Sequence, residues 1–290
     1  MKSLEEYRQE RLLYRSQSKT GLIVTISAFI AFLPSGMIGF SSGMVILPFI
    51  VMAVFMSGGI LMGKSAQKLK TLSNEFKTSY IPSAIQSLLP GSDFNIHGGF
   101  DEMETYNSKI LNRADRYYSE DLFQGIWEGV GFKTADVVLK DVDRDGEKTT
   151  VRTVFMGRVV RLDFENRFPT DLLLFQQTFV PGWGLGDYHR IRTESIDFNR
   201  SFNVYGKDEL SSFVLLKPDF IERLMELDQS IHDQITISFQ SNRLYMAIRT
   251  NRDTFDLNFK DEIPDHPTAE IEQSLKLIKE LIGFFKARND

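Results

Sequence analysis

From Thr20 to Gly63 the chain carries no Asp, Glu, Lys, Arg or His. One helix crossing a bilayer takes about 20 apolar residues, so this 44-residue run is long enough for two. Turn-forming residues cluster at Pro34-Ser35-Gly36 and Ser41-Ser42-Gly43. They predict a first span over 21–40, kinked near Pro34, and a second over 44–62. A buried hairpin in a soluble domain is the competing reading, but charge-free runs of this length are rare there. A cleaved leader would be shorter and end in a small-residue cleavage site. Here the 20 residues before Gly21 mix acid and base, and the second apolar stretch would survive cleavage.

The flanks set the expected orientation. Arg8, Arg11, Arg15 and Lys19 precede the hairpin, Lys64, Lys68, Lys70 and Lys77 follow it, and the connecting loop is uncharged. Cationic flanks stay cytoplasmic, which predicts a two-span protein of the cell membrane with both termini inside. The expected plan is a basic amphipathic segment over 1–19, a transmembrane hairpin over 20–63, a helical stalk and linker over 64–116, and a cytoplasmic domain over 117–290. The membrane lipids around the hairpin are its first expected partner.

About 200 residues remain outside the hairpin and its basic flank, enough for one good core. The whole chain has a net charge of −5, and the basic residues flanking the hairpin offset a more acidic remainder, so nucleic-acid binding has no support in composition. The absence of cysteine removes disulfides, thiolate metal sites and cysteine nucleophiles.

Along the chain, Leu69, Leu72, Phe76 and Tyr80 recur at helical spacing until Pro82 interrupts them. A short strand is predicted over 93–97 and a short helix over 101–111. Ala135, Val137 and Leu139 alternate as a strand, 141–146 reads as a turn, and a long strand returns over 149–164. In that strand the apolar face passes from odd positions (Val151, Phe155) to even ones (Val160, Leu162) about Gly157, predicting a bulge or bend there. Strands are expected over 172–180 and 191–198. Phe202–Tyr205 then leads into a helix over 207–213, and a second helix starts near Pro218. A hairpin turns at Ser241-Asn242 between Ile235, Ile237, Phe239 and Leu244, Met246, Ile248. A last strand holds Phe255, Leu257 and Phe259, and a terminal helix from Pro267 carries the stripe Ile271, Leu275, Ile278, Ile282, Phe285. The class is α+β with a mostly antiparallel sheet. The order of elements is similar to that of pleckstrin-homology domains.

No pattern of residues specifies a reaction. Gly39-Phe40-Ser41-Ser42-Gly43 fits a nucleophile-elbow pattern, but that elbow needs a strand before the serine and a base within reach. Asp141, Asp143, Asp145 and Gly146 open like a calcium loop, yet the twelfth position is Arg152 where a bidentate acid is required. Gly182, Gly184 and Gly186 surround Trp183 in a loop not followed by a convincing helix. His97, His189, His232 and His266 are too scattered for a metal site. Gly59 and Gly63 form a small-residue pair suited to helix packing, against the first span rather than a second molecule; a homo-oligomer stays open. Neither catalytic, metal nor cofactor-binding residues are assigned, and no cofactor is expected.

Several blocks carry a family resemblance: Glu75-Phe76-Lys77, Ile81-Pro82, Tyr118-Ser119-Glu120-Asp121-Leu122-Phe123-Gln124-Gly125, Thr153-Val154-Phe155-Met156-Gly157, Phe202-Asn203-Val204-Tyr205 and Leu215-Leu216-Lys217-Pro218. Their order resembles a family of bacterial two-span membrane proteins of unknown function, often encoded near LemA-type membrane proteins. The resemblance implies a bacterial source, a cytoplasm-facing domain and a LemA-type partner, and it supplies no catalytic residues.

Three functions are therefore weighed. The first is a non-enzymatic, membrane-tethered interaction, scaffold or sensor domain. The second is a lipid- or small-ligand-binding domain whose sheet presents a pocket rimmed by Arg158, Arg161, Arg190 and Arg192. The third is an enzyme using Asp121, Asp136 and Asp163, for which a converging pair of perturbed carboxylates would be needed.

Overall fold

A computed structural model describes residues 2–41, 46–146, 148–179, 181–182, 184–231, 233–250, 263 and 269–289. The chain divides into two compact units. One is Met1–Ser83 with Phe255–Pro267; the other is Ala84–Thr254 with Thr268–Asp290.

The first unit is built on two long helices, α1 (Leu4–Ser41) and α2 (Leu47–Glu75). The predicted amphipathic segment and first span form one helix, and α1 runs through Pro34. The second helix begins at Leu47 rather than at 44, with Pro48 in its first turn, where a missing N–H costs nothing. The helices approach closely at Gly21 and Gly58, where a Cβ on either would lie 2.8 Å from the other's carbonyl oxygen. The expected packing glycines, Gly59 and Gly63, instead face open space. Tyr7 is fully buried, edge-on to Phe76 at 5.3 Å. Both helices are long and apolar enough to cross a membrane. Their outer faces expose Ile23, Phe29, Ile30, Leu33, Phe49 and Ile60, the opposite of a helix buried in a soluble core.

Beyond Glu75 the chain makes a π turn over Phe76–Tyr80 and continues as α3 (Ile81–Leu88). Pro82 interrupts the helical hydrogen-bond ladder without ending the helix, which stops at Leu88. The π turn, in which the Ile81 N–H donates to the Phe76 carbonyl, re-registers the hydrogen bonds immediately before the residue that cannot donate one.

The second unit carries one nine-stranded antiparallel sheet of order β1-β2-β3-β4-β9-β8-β5-β7-β6. The strands are β1 (Asp93–Asn95), β2 (Arg116–Trp127), β3 (Val130–Asp145), β4 (Lys148–Asp163), β5 (Leu172–Gln176), β6 (His189–Ile191), β7 (Phe202–Gly206), β8 (Gln234–Gln240) and β9 (Arg243–Arg249). The helices are α4 (Glu102–Asn107), α5 (Ile196–Ser201), α6 (Glu209–Leu215), α7 (Pro218–Ser230) and α8 (Ala269–Asn289). The expected α+β class, antiparallel sheet and terminal helix are all present. Three helices are capped from sequence: Asp101, Ser195 and Asp208 each accept the N–H three residues on.

Both sheet faces are covered. On one, Ala135, Val137, Leu139, Phe155, Val159 and Ala247 pack with Phe100, Tyr106, Ile110 and Leu111 from the segment around α4. The opposite face, in register through Leu162↔Leu244 and Ile237↔Met246, meets Leu224 of α7 and Leu281 of α8. Phe239 stacks edge-on against Phe168 and Phe220.

Four local expectations change. Residues 141–145 are strand, paired with 148–152, rather than turn. The bulge in β4 falls at Val154, between the pairs Leu139↔Phe155 and Lys140↔Thr153, not at Gly157. Val160 and Leu162 are apolar because the second face is buried too, not because the strand turns over at the glycine. Residues 196–198 are helical rather than strand, once Ser195 caps the turn. The additional long strand is β2, whose alternation is broken by a bulge between Glu120 and Phe123. The expected strand over 255–259, Trp183, His232 and His266 lie outside the described residues.

Candidate functional site

The four arginines expected to rim one pocket are dispersed. The Arg158 guanidinium is buried and donates from Nε and one Nη to Asp136 Oδ1, both at 2.9 Å. Arg161 is clamped by Glu104 at 2.6 Å and Asp163 at 2.8 Å, and Asp163 also binds Arg243 at 3.0 Å. Arg190 donates to Asn203 at 2.7 Å. Arg192 lines a separate cavity beside α7. The three candidate carboxylates do not converge either. Asp163 closes the Arg161 network at the far end of β4, Asp136 serves Arg158, and Asp121 sits buried in left-handed conformation (φ 57°) in the β2 bulge. The arginine pairings tie strands together, and none of these three acids faces another across an open cleft.

What the second unit does present is an apolar surface. Helix α6 exposes Leu210 (81%), Phe213 (39%) and Val214 (52%), at the i, i+3, i+4 spacing of one helical face. Asp208 creates this helix, accepting from the Ser211 backbone at 2.7 Å, and hydrogen bonds from Ser211 hold its carboxyl below the usual range. Ile196, first residue of α5, is 67% exposed. The neighbouring Ser195 and Asp197 share with Phe213 the wall of a cavity of about 870 Å³. Leu216, Pro218, Ile221 and Met225 make its apolar part, and Arg192, Glu194, Glu222 and Glu226 its polar rim. Helices α6 and α7 are legible as helices, whereas α5 reads as strand, and the exposure of the α6 face is not legible, because Leu, Phe and Val at such a spacing ordinarily mark the buried side.

The phenols of Tyr106, Tyr117, Tyr188 and Tyr245 are pushed above their ordinary value of 10.0, in each case chiefly by burial. Tyr188 lies in addition near Asp171 and Asp187, with Lys109 and Lys207 over its ring at 4.8 and 5.3 Å. A raised folded-state pKa means the fold holds these protons more tightly than the unfolded chain. The associated stability is complete below pH 10 and is lost as pH climbs through the folded values. Alkaline titration followed by phenolate absorbance is therefore expected to show these four among the tyrosines that ionise late and together with unfolding; independent ionisation near pH 10 would contradict the burial.

A solved structure that the chain matches is the crystal structure of the mycobacterial trehalose monomycolate transport factor A, TtfA, at 8% sequence identity and a TM-score of 0.38, covering 65% of this chain and 84% of that one. A likeness at that score carries no argument about fold or role. No curated protein matches. Of the resemblance blocks, those at 153–157, 202–205 and 215–218 fall within the stretch that a family comparison matches, and those at 75–82 and 118–125 fall outside it. Residues 153–287, from within β4 to within α8, match the family described as protein of unknown function (DUF3137), and this stretch is a domain of that family.

Proposed function

We propose that α1 and α2 anchor the protein in a membrane, with both termini in the cytoplasm, and that the sheet unit is a non-catalytic docking domain that scaffolds or senses there. The observation that carries this reading is the uncovered α6 face of Leu210, Phe213 and Val214, with Ile196 of α5 exposed as well. Exposed contiguous apolar side chains beside a polar rim mark interaction surfaces on otherwise well-covered domains. The lipid-facing exterior of the two long helices supports the anchor, and the flanking cations support the orientation. A LemA-type protein, suggested by the family resemblance alone, is the first partner to try.

The test is site-specific photocrosslinking in cells with the intact protein. A crosslinker at position 210 or 213 is expected to give one discrete adduct, and the charge introduced by Ile196→Glu is expected to remove it. A crosslinker at Val151, exposed on β4, is expected to give none. Equal adducts at 151 and 210, or none at 210, would sink the docking role. A second reading, small-ligand binding, is favoured only by the adjoining 870 Å³ cavity; a compound that protects the protein thermally and loses its effect in Met225→Glu would support it.

A further inference from the structure

Helices α1 and α2 run antiparallel in a register that can be read from three contacts: Tyr7 on Phe76, the Lys68 ammonium over Tyr14 at 5.3 Å, and Gly21 against Gly58 and Met62. Between the helices, just beyond the charge-free run, lies a groove of about 420 Å³. Its far end is neutralised, because Lys2 is held by Glu10 and Glu75, each at 3.0 Å. Its near end is different. Lys64 immediately follows the last apolar residues and Lys68 stands one turn on, about 6 Å along the same face. Both are exposed. Among the described residues Lys64 pairs with no carboxylate, and Lys68 meets only the Tyr14 ring. Gln67 adds an amide to the same wall, and the register brings Lys19 level with Lys64.

We infer that this groove binds the phosphate of an anionic phospholipid, gripped between Lys64 and Lys68 over Tyr14. Two ammonium groups a helical turn apart can both reach one phosphate, and basic clefts between membrane helices on the cytoplasmic side suit such headgroups. The lipid source, rather than free phosphate, is argued from what lies next to the lysines. Leu22 (45% exposed), Ile23 (64%) and Ile60 (55%) open to the outside at the adjoining level, giving acyl chains an apolar wall while the phosphate stays at the cationic end. The inference rests on residues 20–63 lying in a bilayer.

The experiment titrates the detergent-solubilised full chain with phosphatidylglycerol, phosphatidylcholine or inorganic phosphate and counts bound molecules by native mass spectrometry. A lysine in contact with the anionic headgroup contributes about fivefold in affinity. Lys68→Gln is expected to weaken phosphatidylglycerol binding about fivefold and the K64Q/K68Q pair about 25-fold. Lys70→Gln, the same loss of charge on a neighbouring exposed position outside the groove, is expected to change it less than about twofold. Helix content by circular dichroism confirms that each variant folds. Equal losses in K68Q and K70Q, or equal affinity for phosphatidylcholine, overturn the site. Inorganic phosphate bound as tightly as phosphatidylglycerol overturns the lipid source. Flotation with neutral vesicles is read separately: a chain that fails to float refutes the bilayer placement on which the site rests.

Discussion

Replacing Gly157 with alanine is expected to destabilise the sheet unit by about 3 kcal/mol or more, the upper end of what an overpacked core costs. Gly157 sits opposite Val137 on β3, and the next residue, Arg158, begins the pairing with β9 at Ile248. A Cβ at Gly157 would lie 2.0 Å from the Ile248 carbonyl oxygen and 2.9 Å from the Arg249 Cα. Both are backbone atoms, so no rotamer change relieves the clash; β9 has to move, and β8 is hydrogen-bonded to it. Alanine is otherwise the better strand residue, so the sign of the effect isolates the clash. Gly131 gives the control. Its added Cβ meets only Asp163 side-chain atoms at 3.6 Å and beyond, and Gly131→Ala is expected to stay within about 0.5 kcal/mol of the parent. Urea unfolding measures both; a parent-like midpoint for G157A would show that β4 and β9 are not packed this tightly.

That glycine also shows where sequence reasoning reaches its limit. The change of apolar period marks Gly157 as a special position, and it is special, but as a point of close strand approach rather than a bulge. A change of period has two physical origins, an inserted residue or burial of the second face, and a single strand cannot distinguish them without knowing what covers it. The β8–β9 hairpin suffers no such ambiguity. Its two-residue turn, with Ser241 at φ 57°, suits the twist of paired strands, and the predicted partners Ile235↔Ile248, Ile237↔Met246 and Phe239↔Leu244 are the observed ones. Strand β2 escapes notice for the opposite reason. Its bulge buries Asp121, Leu122 and Phe123 in succession, which erases the alternation that reveals strands. The long apolar helices are legible because length and absence of charge need no tertiary context. The exposed face of α6 is not, since an exposed Leu210 has the same sequence signature as a buried one. The arginines mislead likewise: charges on strands look like a solvated rim until register pairs Arg158 and Arg161 with acids.

The strongest of those pairings yields the second large effect. Asp136→Ala is expected to cost about 3–5 kcal/mol, the cost of breaking a buried ion pair by removing one of its members. Asp136 and Arg158 are register partners across β3 and β4, and their side chains are only 11% and 9% exposed. Two guanidinium bonds converge on one carboxylate oxygen at 2.9 Å. Arg158→Met is expected to cost a similar amount, by stranding the carboxylate. The double variant Asp136→Leu/Arg158→Met is expected to recover most of the loss, because a buried ion pair replaced by apolar side chains of similar size is often neutral or stabilising. Such non-additivity separates a coupled pair from two independently useful residues; singles that simply add in the double variant would refute the coupling. The pair then contributes less to stability than to alignment. A one-residue slip of β4 along β3 would carry the two charges to opposite faces of the sheet and break the pair. The double variant should therefore unfold near the parental urea midpoint yet exchange the amides of residues 134–138 and 156–160 faster. Exchange as slow as in the parent would mean that apolar packing alone sets the register of this sheet.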